Sequence, residues 1–167
     1  MQAMHMDKKA IQQFKDARAR IRSIALLHEI LYSSENLSEI NIKKYVEKLI
    51  SEVSKSYINR GQIVVEYDLA DFLIKNDRAI YIGLLITELL TNTLKHAFPN
   101  NIGKVMIKLI NAIDSLILIV NDNGIGIKET KKKSLGYQLI ESFVEQLDAE
   151  FDITVGKGTN IRISIPK

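Results

Sequence analysis

A chain of 167 residues holds one compact domain plus a small appendage, and 46% hydrophobic with 26% charged residues is an ordinary globular composition. It has no cysteine, which excludes disulfide frameworks, thiolate zinc sites and cysteine nucleophiles together. The net charge of +3, from 23 basic and 20 acidic residues, is a mild excess without the aromatic-interleaved basic stripe of a nucleic-acid binder, so no nucleic-acid partner is expected.

Residues 1–6, MQAMHM, carry no pattern and no apolar signal region, and they are set aside as a tail. From Asp7 to about Tyr32 a helix is predicted. Ile11, Phe14, Ala17, Ile21, Ile24, His28 and Leu31 form a seam at near-heptad spacing, with Lys, Arg and Gln on the other faces. Ser33 to Asn36 breaks it. A second helix starts at an Asn41 cap, buries Ile42, Tyr45, Val46, Leu49, Ile50 and Val53, and stops near Tyr57. Asn59-Arg60-Gly61 is a turn signal. Ile63 to Tyr67 and Phe72 to Ile74 read as strands. A long helix is predicted from Asp77 to Phe98, ended by Pro99. Gly103 to Ile110 alternates, with Val105, Ile107 and Leu109 on one face. Leu116 to Val120 is apolar throughout and makes a hairpin with it around residues 111–115. Residues 122–134 are a Gly- and Lys-rich loop, Leu135 to Leu147 a helix, and Glu150–Val155 and Asn160–Ile165 a final strand pair joined at Gly156-Lys157-Gly158. No apolar run is long enough to span a bilayer; Ile80 to Ile86 is typical. The pattern divides the chain into an N-terminal helix, residues 1–36, and an α+β domain, residues 37–167. Helices with antiparallel strand pairs in this order predict a two-layer α/β sandwich.

Four places carry chemistry. On the helix from Asp77, Glu88, Asn92, Lys95 and His96 lie within an arc of about 100°. Ile82, Ile86, Leu90 and Ala97 lie on the opposite side. A solvated face usually carries Lys–Glu pairs rather than Glu-Asn-His. An Asn carbonyl oxygen suits Mg²⁺, Lys and His donors suit phosphate oxygens, and Glu88 could take a proton or order a water. His96 could equally be a cation facing the helix dipole.

The second place is Asp122-Asn123-Gly124-Ile125-Gly126 at a strand end, where two glycines leave the backbone free to take φ > 0. A plain loop is the bland reading. The sharper one is a carboxylate in an apolar slot that accepts from the N6 amine of adenine and repels the O6 of guanine. The third place is Ser134-Leu135-Gly136, which opens a helix whose free N–H groups can meet a phosphate. The fourth is Gly156-x-Gly158-Thr159, a hairpin when taken alone.

In order the four read E-L-L-T-N-T-L-K-H-A-F, D-N-G-I-G-I, S-L-G-Y-Q-L-I and G-K-G-T-N-I-R-I. The set resembles the ATP-binding domain of sensor histidine kinases, in the GHKL superfamily with its Bergerat fold, over about residues 37–167. R-I-R-S-I-A-L-L-H-E-I-L-Y, from Arg20 to Tyr32, is similar to the second helix of the dimerisation and phosphoacceptor hairpin in the HisKA_2 branch. Lys95-His96-Ala97-Phe98 agrees with that branch.

The resemblance implies a protein histidine kinase that uses ATP and Mg²⁺. Glu88 would act at the γ-phosphate and Asn92 would ligate Mg²⁺. Lys95 and His96 would contact phosphates. Asp122 would bind adenine N6 in a pocket shaped by Gly124 and Gly126, with Thr159 supporting it through water. Ser134, Leu135 and Gly136 would contact phosphate through their backbone. Residues 127–133 would be a short, basic lid over the nucleotide. It further implies a cytoplasmic location and a response-regulator partner for the parent protein. The branch's acceptor run, a His followed by an Arg-x-Lys-Asn-Asn type sequence, does not occur here. His5 has no matching neighbours, and His28 reads as a seam or core histidine. The chain is therefore expected to bind ATP, not to autophosphorylate by itself, and to self-associate through residues 7–32. A serine kinase of the anti-sigma-factor type and a non-catalytic ATP-gated module share the boxes. The helix Arg20–Tyr32 counts against the first, and an intact Glu88 and Asn92 against the second.

Overall fold

The computed structural model describes residues 2–32, 38–57, 62–126 and 135–167, without the side chains of residues 2–9, 31 and 32. Its elements run α1 (Gln2–Tyr32), β1 (Glu39–Asn41), α2 (Ile42–Tyr57), β2 (Gln62–Leu69), β3 (Leu73–Lys75), α3 (Asn76–His96), β4 (Ile102–Asn111), β5 (Ser115–Asp122), α4 (Leu135–Gln146), β6 (Glu150–Gly156) and β7 (Gly158–Pro166). A five-stranded sheet in the order β2-β4-β5-β7-β6 forms one layer. The helices form the other, and the core lies between. The architecture is the α/β sandwich expected.

Local signals account for most of the elements. The Asn41 side-chain oxygen accepts the Lys44 N–H at 2.9 Å, a helix N-cap. Asp77 accepts the Arg78 N–H at 2.8 Å in the first turn of α3, where the dipole favours a carboxylate. The six apolar residues that set the stripe of α2 are all buried, each removed from water for about 1.5–3 kcal/mol. Val105, Ile107 and Leu109 of β4 face the helices, as a period of two requires.

Four features differ from the sequence reading. The first helix begins at Gln2, not Asp7. Residues 2–6 lack a stripe, yet Gln, Ala and Met are good helix formers and nothing breaks the chain. β2 and β4 pair in parallel, Gln62 opposite Ile102 through Leu69 opposite Leu109. A parallel neighbour needs a long crossover, and β3 with α3 supplies it. A short strand, β1, was not predicted; it pairs antiparallel with β3 and anchors the entry to α2. The fourth difference is the rotation of α1. It packs through Ser23, Leu26 and Leu27, all buried, while Ile11, Phe14 and Ile21 of the predicted seam stand exposed, Phe14 at 72%. His28 points outward as well, so it lies on the seam and not in the core.

The packing also buries the polar side of α3. Ile82, Ile86, Leu90 and Ala97 meet the core as expected. α1, α2 and α4 all pack on α3 too, so residues Ile82 to Thr91 are buried without interruption. Gly83 makes room for part of this. A Cβ there would collide with the Tyr45 ring, and the Tyr45 hydroxyl crosses it to donate to the Ser23 carbonyl of α1 at 3.2 Å. Burial raises the Tyr45 phenol well above its ordinary pKa.

Candidate functional site

The C-terminal half of α3 organises the site. Glu88 is 3% exposed and Asn92 half-buried. The start of α4 crosses directly over them. A Cβ on Gly136 would sit 3.4 Å from Glu88 Oε2 and 3.5 Å from both polar atoms of Asn92. Glycine here lets the first turn of a helix, with its free N–H groups, approach two polar side chains. Leu135 is exposed at the helix start. Ser134 and the segment 127–133 lie outside the described residues.

The loop after β5 docks on the end of the same helix. The Ile125 N–H donates to the Ala97 carbonyl at 3.0 Å, and a Cβ on Gly124 would collide with that same oxygen. Asn123 ties the loop to β4, accepting the Lys104 N–H at 2.7 Å through its side chain. Asp122 is 4% exposed. Its Oδ1 accepts from the Gly124 N–H at 2.8 Å and the Thr159 N–H at 3.3 Å, which fixes the orientation of the carboxylate. Gly126 has φ +77° and Gly158 φ +100°. At Gly158 a Cβ would strike the Asp122 carbonyl oxygen, so this glycine is required both by its backbone angle and by the close approach. Asp122, Gly124, Gly126 and Thr159 thus come together, in a loop that lies against Ala97 at the C-terminal end of α3.

Lys95 and His96 diverge. His96 ends α3 and is exposed. Lys95 is mostly covered, with its side chain 13% exposed. Its ammonium pairs with Asp16 of α1 at 2.5 Å and lies 5.6 Å from the centre of the Tyr57 ring. One helical turn along α1, Arg20 grips Glu88 with two hydrogen bonds, from Nε to Oε1 and from Nη2 to Oε2, the latter at 3.0 Å. The Glu88 partner raises the Arg20 guanidinium above its ordinary value. Burial by itself would raise the Asp16 carboxyl. Hydrogen bonds from Lys95, Gln12 at 3.1 Å and Tyr57 at 2.8 Å outweigh that and hold it below its ordinary value. Burial and the bond to Asp16 push the Tyr57 phenol up.

Sequence reasoning missed Asp16 and Arg20. They belong to the faces read as solvated. A signal was nonetheless present: an acid and a base four apart on one helix match a base and an acid seven apart on another, Lys95 and Glu88, both pairs on single faces. No helix among the described residues is long and apolar enough to cross a membrane.

Comparison with known proteins finds relatives for both parts of the chain. Residues 1–57 match HisKA_2, described as histidine kinase. Residues 77–167 match the histidine kinase-, DNA gyrase B-, and HSP90-like ATPase family. The blue-light-activated histidine kinase 2 of Erythrobacter litoralis is 29% identical over 166 residues, covering 92% of this chain and 47% of that protein; the chain thus spans about half the length of that relative. The histidine kinase domain of the Erythrobacter litoralis EL346 blue-light activated histidine kinase superposes with a TM-score of 0.83 at 27% identity, over 98% of this chain and 84% of that one. The anti-sigma F factor of Clostridium kluyveri is 31% identical, over 90 residues only, 46% of this chain and 62% of that protein. A domain match over more than half of the chain, preceded by a histidine-kinase match at its N-terminus, settles the relationship: the chain belongs to the histidine kinase-, DNA gyrase B-, and HSP90-like ATPase family.

Proposed function

We propose that this chain is the ATP-binding catalytic part of a two-component sensor histidine kinase, in which the γ-phosphate of ATP passes to a histidine outside residues 1–167. The single observation that carries this reading is the convergence on α3: Glu88 and Asn92 beneath the Gly136 turn of α4, with the loop after the buried Asp122, a carboxylate held by two backbone amides, docked on the end of the same helix. Asp122 accepts from adenine N6. Gly124 and Gly126 shape that pocket, and Thr159 supports it. Lys95, His96 and the backbone of residues 134–136 hold phosphate oxygens. Asn92 would hold Mg²⁺, which supplies charge neutralisation at the phosphates when bound. Glu88 takes the proton of the attacking group or orders it at the γ-phosphate.

We assign residues 1–36 to the helical hairpin and 37–167 to the ATP-binding domain. A response regulator would receive the phosphoryl group in the cytoplasm. The match of residues 1–57 to a histidine kinase family supports this reading over an anti-sigma-type serine kinase, whose likeness is confined to about half of the chain.

The test is phosphoryl transfer in the full-length parent protein. Acid-labile phosphate should form from γ-labelled ATP. Glu88→Gln should abolish it while leaving Mg·ATP binding nearly intact, and Asn92→Ala should remove Mg²⁺-dependent binding. Unchanged transfer in Glu88→Gln would refute the role given to Glu88.

A further inference from the structure

We infer that α1 is an ATP-sensitive strap: Asp16 and Arg20 occupy Lys95 and Glu88, the same side chains that phosphate binding and transfer require, so docking of this helix and loading of the site compete. The inference rests on the function proposed above and specifies its regulation.

Three observations carry it. First, the charges are exchanged pairwise. Lys95 gives its ammonium to the Asp16 carboxylate, the place a phosphate oxygen would take, and Arg20 holds both oxygens of Glu88. A carboxylate clamped on both oxygens by a guanidinium is poorly placed to receive another proton.

Second, α1 is held in two unlike ways along its length. Its middle is an apolar anchor, with Ser23, Leu26 and Leu27 buried and the Tyr45 hydroxyl on the Ser23 carbonyl. The turns before it touch the domain through Asp16 and Arg20, while Ile11, Phe14 and Ile21 face outward. A polar latch exchanges partners readily, whereas an apolar anchor does not.

Third, the latched half meets α2 through polar contacts, the Tyr57 hydroxyl on Asp16 at 2.8 Å and Arg22 beside Glu52 at 3.6 Å. A cleft of about 310 Å³ opens between them, lined on one side by Lys15, Arg18 and Arg22 and on the other by Leu49, Val53 and Ser56. The helix can therefore swing by exchanging these polar contacts, with the cleft giving it room. When a triphosphate takes Lys95, Asp16 loses its counter-ion. The bonds of Arg20 to Glu88 and of Tyr57 to Asp16 are then the polar holds left on the arm, and its release frees Glu88 for transfer.

The chain has no cysteine, so a label pair can be placed cleanly. We would label Gln13→Cys on α1 and Lys48→Cys on α2, both exposed, and measure their separation by electron–electron resonance with and without saturating Mg·ATP. A swing of about 20° about Ser23 carries residue 13, about 15 Å away along the helix, through about 5 Å. Calorimetry runs in parallel on Asp16→Asn, with melting curves to exclude unfolding. Asp16→Asn should bind Mg·ATP about 5- to 20-fold tighter, a coupling of ordinary size. It should also show the swung distance in part before nucleotide is added, and Arg20→Lys should give a smaller shift of the same kind. A distance unchanged at measured saturation, or equal affinity in Asp16→Asn and the unmodified chain, overturns the strap while leaving ATP binding intact. Failure of both chains to bind Mg·ATP overturns the proposed function and the strap with it. Binding by Asp16→Asn alone supports the strap in its strongest form.

Discussion

Exchange of Asp122 for asparagine tests nucleotide choice at its most exposed assumption. The carboxylate is 4% exposed and its Oδ1 accepts from two backbone amides, at 2.8 and 3.3 Å. An asparagine is nearly isosteric and can keep Oδ1 toward both, so the loop should hold its shape. What changes is the other arm, which becomes an N–H₂ donor. Against adenine N6–H₂, also a donor, the pair turns from a charged hydrogen bond into two opposed donors. Loss of a hydrogen bond to a charged group costs about 1–3 kcal/mol, or about 5- to 150-fold in dissociation constant. Guanine presents an acceptor at O6, so its penalty should fall. Calorimetric titration of Mg·ATP and Mg·GTP into both chains would show the unmodified chain selecting ATP and Asp122→Asn losing most of that selectivity, with the melting temperature moved by no more than a few degrees. Equal ATP and GTP affinity in the unmodified chain, or Asp122→Asn within twofold of it for ATP, would refute the reasoning.

Gly158→Ala should destabilise the chain by ~3 kcal/mol or more, because it places a side chain at φ +100° and against the Asp122 carbonyl oxygen; a melting temperature within a degree of the unmodified chain would contradict it. The exposed side of α1 should mediate self-association, so Phe14→Asp with Ile21→Asp should shift light scattering to monomer without loss of helix content; an unmodified chain that is already strictly monomeric would disprove this. The latch should also respond to acid. Lys95, Gln12, Tyr57 and Arg20 surround Asp16, whose folded pKa is depressed, so its contribution is present above the unfolded value of about 3.9 and is lost as pH falls through the folded value. The label pair on α1 and α2 should therefore stay at its resting distance from pH 7 down to about 4 and move only below that; movement near pH 6 would point to a different group.

Much of this molecule is legible in the order of its residues, because much of it is governed by local constraints. The stripe of α2 repeats at the helical period and Asn41 caps it. The glycines at 124, 126 and 158 stand where the backbone turns or is approached closely, a demand that no other residue meets as well. Glu88, Asn92 and Asp122 announce themselves as polar groups where a solvated face or a plain loop would carry something else. Long-range geometry settled the remainder. The parallel pairing of β2 with β4 depends on where α3 returns the chain, not on the composition of either strand. In α1 the apolar seam at residues 11, 14 and 21 was the conspicuous pattern, yet the helix docks through Ser23, Leu26 and Leu27 and leaves that seam outside. Rotation about a helix axis is chosen by the surface it meets. Here that surface offers Glu88 and Lys95, so Arg20 and Asp16 turn inward to pair with them. The spacing of those charges can be matched only when the partner helix is known, because charge complementarity between two helices exists only once the chain has brought them together.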